Sequence, residues 1–265
     1  MPQRPREIHR PPDLASAAAW LSRTDLTIAP LRLHLRPAPL TAHAADILLD
    51  LSRLDLNYIR FEGDRLRLGA NTPLQALIDS PVTRAYAGGL LAEAAGVPAP
   101  LPLRNAVTVG SALVTVDGPP EFKLALRALN AEERVHASAN LLTEVALPVY
   151  PPSGVGAALA RVARAPRDEA LAAAAAVVVV RAGECVDGRV FVDDFAPAGR
   201  AQDGVAPELL VGRRLTEDLL RQVERFAQQH AQPRSDFRAS ADYRRAMAGV
   251  MARRALESAW QQAAA

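Results

Sequence analysis

Cysteine is almost absent from this chain, which carries only Cys185. One thiol excludes an intramolecular disulfide and any cysteine-ligated iron–sulfur cluster, which takes four thiolates. An excess of one charge is also lacking, because 31 Lys and Arg stand against 29 Asp and Glu for a formal net charge of +2. That near balance removes the electrostatic reason to expect nucleic acid. Long hydrophobic runs are missing too: the longest, Ala170 to Val180, is too short for a membrane span. Met1 to Asp13 is rich in Pro and Arg, and the apolar stretch after it is broken by Ser22, Arg23 and Asp25. No secretory signal is therefore expected, and a cytoplasmic location is the default. His9, His34, His43, His136 and His230 show no metal-ligand spacing. With no nucleophile elbow, Walker loop or Rossmann fingerprint, no catalytic residue and no metal ligand is assigned.

What is present is enough for a large core. The 265 residues are 49% hydrophobic and 23% charged, which predicts an ordered protein of two or three domains. Asp13 is placed to cap a helix over Pro11 to Trp20, and Leu26 to Leu35 alternates like a half-buried strand until Pro37 and Pro39. Ile47 to Leu51 reads as a strand, Tyr58 to Glu62 and Arg65 to Leu68 as a hairpin around Gly63-Asp64, and Pro73 to Asp79 as a helix. A second helix is predicted over Thr83 to Ala95 with Gly96 as a left-handed stop, after which Pro98, Pro100 and Pro102 predict an extended run. Val149 to Gly154 has linker composition and predicts a domain boundary. Beyond it, Ala170 to Arg181 and Arg189 to Asp193 read as antiparallel strands across Gly183 to Gly188. Thr216 to His230 and Ala241 to Gln262 read as amphipathic helices. The pairs Arg213-Arg214, Arg244-Arg245 and Arg253-Arg254 read as solvated faces or as contacts for acidic partner subunits.

Four stretches carry more than periodicity: Ile47-Leu48-Leu49-Asp50-Leu51-Ser52-Arg53, Leu66-Arg67-Leu68-Gly69-Ala70-Asn71-Thr72-Pro73-Leu74, Leu103-Arg104-Asn105-Ala106-Val107-Thr108-Val109-Gly110-Ser111-Ala112, and Ser235-Asp236-Phe237-Arg238-Ala239-Ser240-Ala241-Asp242-Tyr243-Arg244. In this order they resemble landmarks of the FAD-binding subunits of molybdenum hydroxylases, the group of the carbon monoxide dehydrogenase medium subunit and the xanthine dehydrogenase flavin domain. Leu141 to Pro148 resembles the strand that closes the flavin domain. The resemblance implies an α+β protein with a PCMH-type FAD-binding fold. Two small α/β subdomains, 1–55 and 56–152, would precede an α+β domain, 153–265, of antiparallel sheet plus helices. It implies an oxidoreductase subunit that relays electrons from iron–sulfur clusters through FAD to an acceptor, with an iron–sulfur subunit and a molybdenum-cofactor subunit as partners. The flavin ring would carry that chemistry and the chain would position it.

The same resemblance exposes departures. The family's first phosphate loop, Ala-Gly-Gly-Thr-Asp-Leu, falls on Ala29-Pro30-Leu31-Arg32-Leu33-His34, where both glycines are replaced. Glycine lets backbone N–H groups approach a phosphate, whereas Pro30 has no N–H to give. Arg32 or His34 would be side-chain replacements for the lost donors, or solvent-facing residues of an alternating strand. In the second loop Gly110 is kept, Ser111 stands for the second glycine and Ala112 for the asparagine. Asp117 and Glu121 fall where the family holds ribityl and ribose hydroxyls, and Asp117-Gly118-Pro119-Pro120 is also a good polar turn by itself. A stretch near Ala139 to Leu142 is shorter than in the family and would open one wall of a flavin pocket. By resemblance the cofactor-binding set is Arg32, Arg104, Asn105, Thr108, Gly110, Ser111, Asp117 and Glu121. FAD would be held weakly or lost, and the alternative to electron relay is a flavin-free structural or assembly subunit. In the fourth stretch, Ser235 or Asp236 would cap a turn and Tyr243 would anchor the last helix through a buried ring.

Overall fold

A computed structural model describes residues 7–30, 45–97, 100–114, 119–137, 140–165, 168–193, 204 and 207–265. β1 (Glu7–His9) leads to α1 (Leu14–Leu21), which Asp13 caps by accepting from the Ser16 N–H at 2.7 Å. β2 (Ile28–Pro30) and β3 (Ile47–Leu49) join β1 in a parallel sheet of order β1-β3-β2. The continuation of the predicted strand past Pro30 lies outside the described residues. β4 (Ile59–Glu62) and β5 (Arg65–Gly69) form the predicted hairpin, with Gly63 at φ +62° in its turn. α2 (Leu74–Asp79) then starts after Pro73.

The helix predicted over Thr83 to Ala95 is two helices. α3 (Pro81–Ala85) and α4 (Leu90–Gly96) are parted by a turn over Tyr86–Gly89, where Ala87, Gly88 and Gly89 all have positive φ. The left-handed break thus falls at the Gly88-Gly89 pair, whereas Gly96 remains helical and the chain becomes extended at Val97. The extended run predicted from the prolines is also replaced, by α5 (Leu101–Ala106). Pro100 is its N-cap and Pro102 lies in its first turn, where a missing N–H leaves no hydrogen bond unmade. α6 (Val109–Val114) and α7 (Pro120–Ala128) follow, the second with Pro120 at its start.

β6 (Glu132–His136) and β7 (Leu141–Pro148) complete a sheet of order β4-β5-β7-β6. β8 (Val155–Val162), which sequence periodicity did not mark, is the edge of a second antiparallel sheet of order β10-β9-β8 with β9 (Ala172–Arg181) and β10 (Glu184–Asp193). The loop predicted over Gly183 to Gly188 tightens to Ala182-Gly183, both at positive φ, and the remaining residues enter β10 with a register shift between Cys185 and Asp187. α8 (Glu217–His230) is capped by Thr216 and α9 (Ala241–Ala264) by Ser240.

These elements form two compact units, each built from separated pieces of chain. The first comprises Met1–Ala76, Pro100–Gly118 and Glu132–Leu147; the second comprises Leu77–Ala99, Pro119–Ala131 and Pro148–Ala265. In the second, Ala172 to Val180 of β9 are all buried, which explains why this strand reads as a continuous apolar run without alternation. The alanines let α9 lie close across β8 and β9: a Cβ on Gly156 would sit 1.7 Å from Ala259 O. Met251, Leu256 and Trp260 are buried from α9, each worth roughly 1.5–3 kcal/mol of transfer free energy. Tyr243 does not anchor this helix through a buried ring, because it is 42% exposed. Its neighbour Arg244, 1% exposed, points inward instead and donates to Asp236 Oδ1 at 2.7 Å and Leu171 O at 3.2 Å.

Candidate functional site

Three of the sequence landmarks are tied together within the first unit. Asn71 Nδ2 donates to Leu51 O at 2.7 Å, fastening the turn after β5 to the segment after β3. Val109 N and Gly110 N donate to Thr72 O and Ala70 O, both at 2.8 Å, and Leu74 N donates to Val107 O at 2.9 Å. Gly69 and Gly110 permit this closeness: a Cβ on the first would lie 2.1 Å from Leu56 O, and on the second 3.0 Å from Ala70 O. Between the landmarks lies a cavity of about 260 Å³. Its wall includes Pro30 and Asp50 at the carboxyl ends of β2 and β3, where parallel sheets present ligand sites. Thr108, Gly110 and Ser111, three of the residues predicted from the resemblance, are in its lining.

A phosphate cradle needs N–H donors that the protein does not itself consume. At this turn they are consumed. Val109 and Gly110 donate to Thr72 and Ala70, Ser111 N donates to Thr108 Oγ1 at 3.3 Å, and Ala112 N donates to Thr108 O at 2.9 Å. The Ser111 hydroxyl donates to Thr108 O at 3.0 Å and accepts from Thr108 N at 2.9 Å, a reciprocal arrangement of the capping-box kind. The replacement of glycine by serine therefore locks the turn instead of adding a donor for a ligand. Pro30 contributes wall without an N–H.

Charge points the same way. Asp50 is held below the usual carboxylate range, chiefly by hydrogen bonds from Ser52 and then by Arg10, with burial opposing them. Arg10 Nε meets its carboxylate at 2.7 Å. Among the described residues lining the cavity there is no Lys, Arg or His. The described lining therefore offers the pyrophosphate of FAD, which brings two negative charges, no cation and few free amides, with polar side chains on Ser52, Asn57, Asn71 and Asn140. Leu51, Leu141, Leu142 and Ala70 do give the cavity an apolar wall suited to an uncharged ring.

The remaining predicted residues are not among the described lining. Arg104 and Asn105 sit on α5 beside Ala106 of the cavity wall but are not themselves among its lining, with Arg104 Nε donating to Gln75 Oε1 at 2.9 Å. Arg32, His34 and Asp117 lie outside the described residues. Glu121 belongs to the second unit, where it is fully buried in the first turn of α7 and meets Arg161 Nε at 3.2 Å. Asp50 and Asn71 were not singled out from the sequence as site residues, although both stand inside the quoted landmarks. Asn140, at the other side of the cavity, had no sequence signal. Among the described residues, no group of three or more His, Cys, Asp or Glu is placed to hold a metal, and no helix is long and apolar enough to cross a membrane.

Comparison with known proteins agrees with this layout. Residues 34–150 match the FAD binding domain in molybdopterin dehydrogenase, and residues 157–259 match the CO dehydrogenase flavoprotein C-terminal domain. The carbon monoxide dehydrogenase medium chain of Afipia carboxidovorans is 31% identical over 281 residues, spanning 96% of each chain. That of Hydrogenophaga pseudoflava is 30% identical over 82% of this chain and 83% of its own. Among solved structures, a chain of the Hydrogenophaga pseudoflava carbon monoxide dehydrogenase that lacks the Mo-pyranopterin moiety matches with TM-score 0.84 and 26% identity, covering 99% of both chains. Shared landmarks, matching domains at both ends and coverage of nearly the whole length lead to one conclusion: the chain belongs to the FAD-binding medium-chain family of molybdenum hydroxylases.

Proposed function

We propose that this chain takes the medium-subunit place in a cytoplasmic molybdenum hydroxylase complex, beside an iron–sulfur subunit and a molybdenum-cofactor subunit. Bound against Thr108, Gly110, Ser111 and the apolar wall of this cavity, FAD would supply the redox chemistry that passes electrons from iron–sulfur clusters to an acceptor, and the few free donors would make its hold weak. The observation that carries the reading is the first-unit cavity, formed where three family landmarks are hydrogen-bonded to one another. We read 1–55, 56–152 and 153–265 as inherited segments, the matched spans 34–150 and 157–259 supporting the second division.

A second reading, a flavin-free structural or assembly subunit, is favoured by the consumed amides of Val109 to Ala112. The two readings separate in one preparation. Weak binding predicts flavin absorbance that titrates in with added FAD; a flavin-free subunit predicts none at any FAD concentration while the complex still assembles. A chain that joins no iron–sulfur or molybdenum-cofactor subunit removes both readings.

A further inference from the structure

The first-unit cavity is richer in open hydrogen-bond acceptors than in open donors. Around its Thr108 to Ala112 turn the backbone N–H groups are already bonded within the protein. Asp50, which follows the central strand β3 of the parallel sheet, is the only charged residue among the described lining. Its Oδ1 accepts from Ser52 N at 3.0 Å and its Oδ2 from Arg10 Nε at 2.7 Å. A carboxylate has about four lone-pair sites, so acceptor capacity is left over. Asn71 spends Nδ2 on Leu51 O at 2.7 Å, which leaves Oδ1 as a second acceptor. Asn57 and Asn140 are exposed lining residues whose amides serve as donor or acceptor. At about 260 Å³ the cavity is smaller than the roughly 300–1,000 Å³ of sites that enclose a drug-sized ligand. It therefore houses one end of a dinucleotide and not the whole.

We propose that the end housed here is the adenosine of FAD, with Asp50 accepting from the ribose hydroxyls and Leu51, Leu141 and Leu142 covering the purine. This rests on the medium-subunit reading, which supplies FAD as the ligand. The choice among the parts of FAD follows from what each asks of the lining. Pyrophosphate would bring negative charge toward a carboxylate and meet amides that are already bonded. The isoalloxazine carries carbonyl oxygens on its polar edge, and these ask for donors. Adenosine brings donors of its own, the ribose hydroxyls and an exocyclic amine, on an uncharged ring. In parallel α/β sheets an acidic side chain beyond a strand end accepts from ribose hydroxyls in the same way.

The test titrates the full chain with adenosine, ADP, 2′,3′-dideoxyadenosine and riboflavin by calorimetry at low salt. Adenosine is expected to bind at one site and to compete with FAD. ADP binds about fivefold more weakly, because its phosphates meet the Asp50 charge, and the gap closes in high salt. Dideoxyadenosine, which lacks the ribose hydroxyls, binds about tenfold more weakly than adenosine. Asp50→Asn weakens adenosine, removes the penalty on ADP and narrows the difference between adenosine and dideoxyadenosine. If that variant does not fold, the ligand series on the unaltered chain decides alone. ADP tighter than adenosine, dideoxyadenosine equal to adenosine, or no adenosine binding overturns the inference. Riboflavin that displaces adenosine puts the flavin end in the cavity and overturns it too. Tight FAD together with ADP tighter than adenosine removes this inference and keeps the subunit reading. Adenosine bound as expected by a chain that joins no hydroxylase subunit keeps the adenosine site and removes that reading.

Discussion

Replacing Arg244 by Met tests which residue of the fourth landmark holds the last helix in place. Methionine keeps the length and apolar stem of the side chain, so packing changes little and the polar loss dominates. Leu171 O, on a buried residue, loses the donor that stood at 3.2 Å, and a buried acceptor left unmade costs roughly 1–3 kcal/mol. The contact with Asp236 at 2.7 Å adds less than its geometry suggests, because that carboxylate is 33% exposed, is screened by solvent and retains Arg238. The expected cost is roughly 1–3 kcal/mol, or about 2–12 °C in melting temperature for a body of this size. Tyr243→Ala removes a ring already 42% exposed and should cost about 1 kcal/mol. Urea titration of both variants beside the wild type measures the two costs on one scale. If Tyr243→Ala proves the more damaging, the assignment of the anchor to Arg244 is wrong.

Further expectations concern titratable groups. Burial pushes the Cys185 thiol up to about 11, so at pH 8 the folded chain should resist iodoacetamide and react fully only in denaturant; rapid labelling of folded protein would contradict its placement. Asp236 is held below the ordinary value of 3.8: burial opposes this, but hydrogen bonds from the Arg238 N–H, the Arg244 guanidinium and the Ala239 N–H outweigh it. Because its folded pKa is depressed, the stabilisation it gives is present above pH 3.8 and is lost as the pH falls through the folded value. The melting-temperature gap between wild type and Asp236→Asn should therefore be steady above pH 5 and close as the pH drops below about 4. A gap that stays constant down to pH 2 would show that Asp236 does not titrate this way.

Local chemistry made much of the fold legible. Asp13 caps the helix it precedes in sequence, and Gly63 turns the hairpin expected of it. The failures have physical causes. A run of helix formers from Thr83 to Ala95 hides a break because Gly88 and Gly89 go left-handed, while Gly96, which looked like the stop, stays helical. Prolines at 100 and 102 suggested extension, yet at a helix start they sit where their missing N–H groups are harmless. β8 escaped notice because Val155 to Val162 mixes small, apolar and charged residues without clean alternation.

The site divided in the same way. Thr108, Gly110 and Ser111 could be placed because the backbone spacing of the landmark fixes them around Ala70 and Thr72. What spacing could not show was where the donors point. Ser111 reads as a replacement donor until its hydroxyl is seen bonded in both directions to Thr108. Glu121 read as a ribose acceptor in a turn, but the helix that starts at Pro120 carries it into the second unit opposite Arg161. Tyr243 and Arg244 are adjacent in a helix, so which of them faces inward depends on the face set by Ser240 and not on composition.

The most direct measurement is the FAD content and FAD affinity of the chain, alone and in the complex proposed for it. The account predicts little flavin after extensive dialysis, weak rebinding on titration with FAD, and tighter rebinding when Pro30 and Leu31 are both replaced by Gly. Stoichiometric FAD that survives dialysis in the unaltered complex would show that the pyrophosphate is well held despite the consumed amides of Val109 to Ala112, and would contradict the account at its centre.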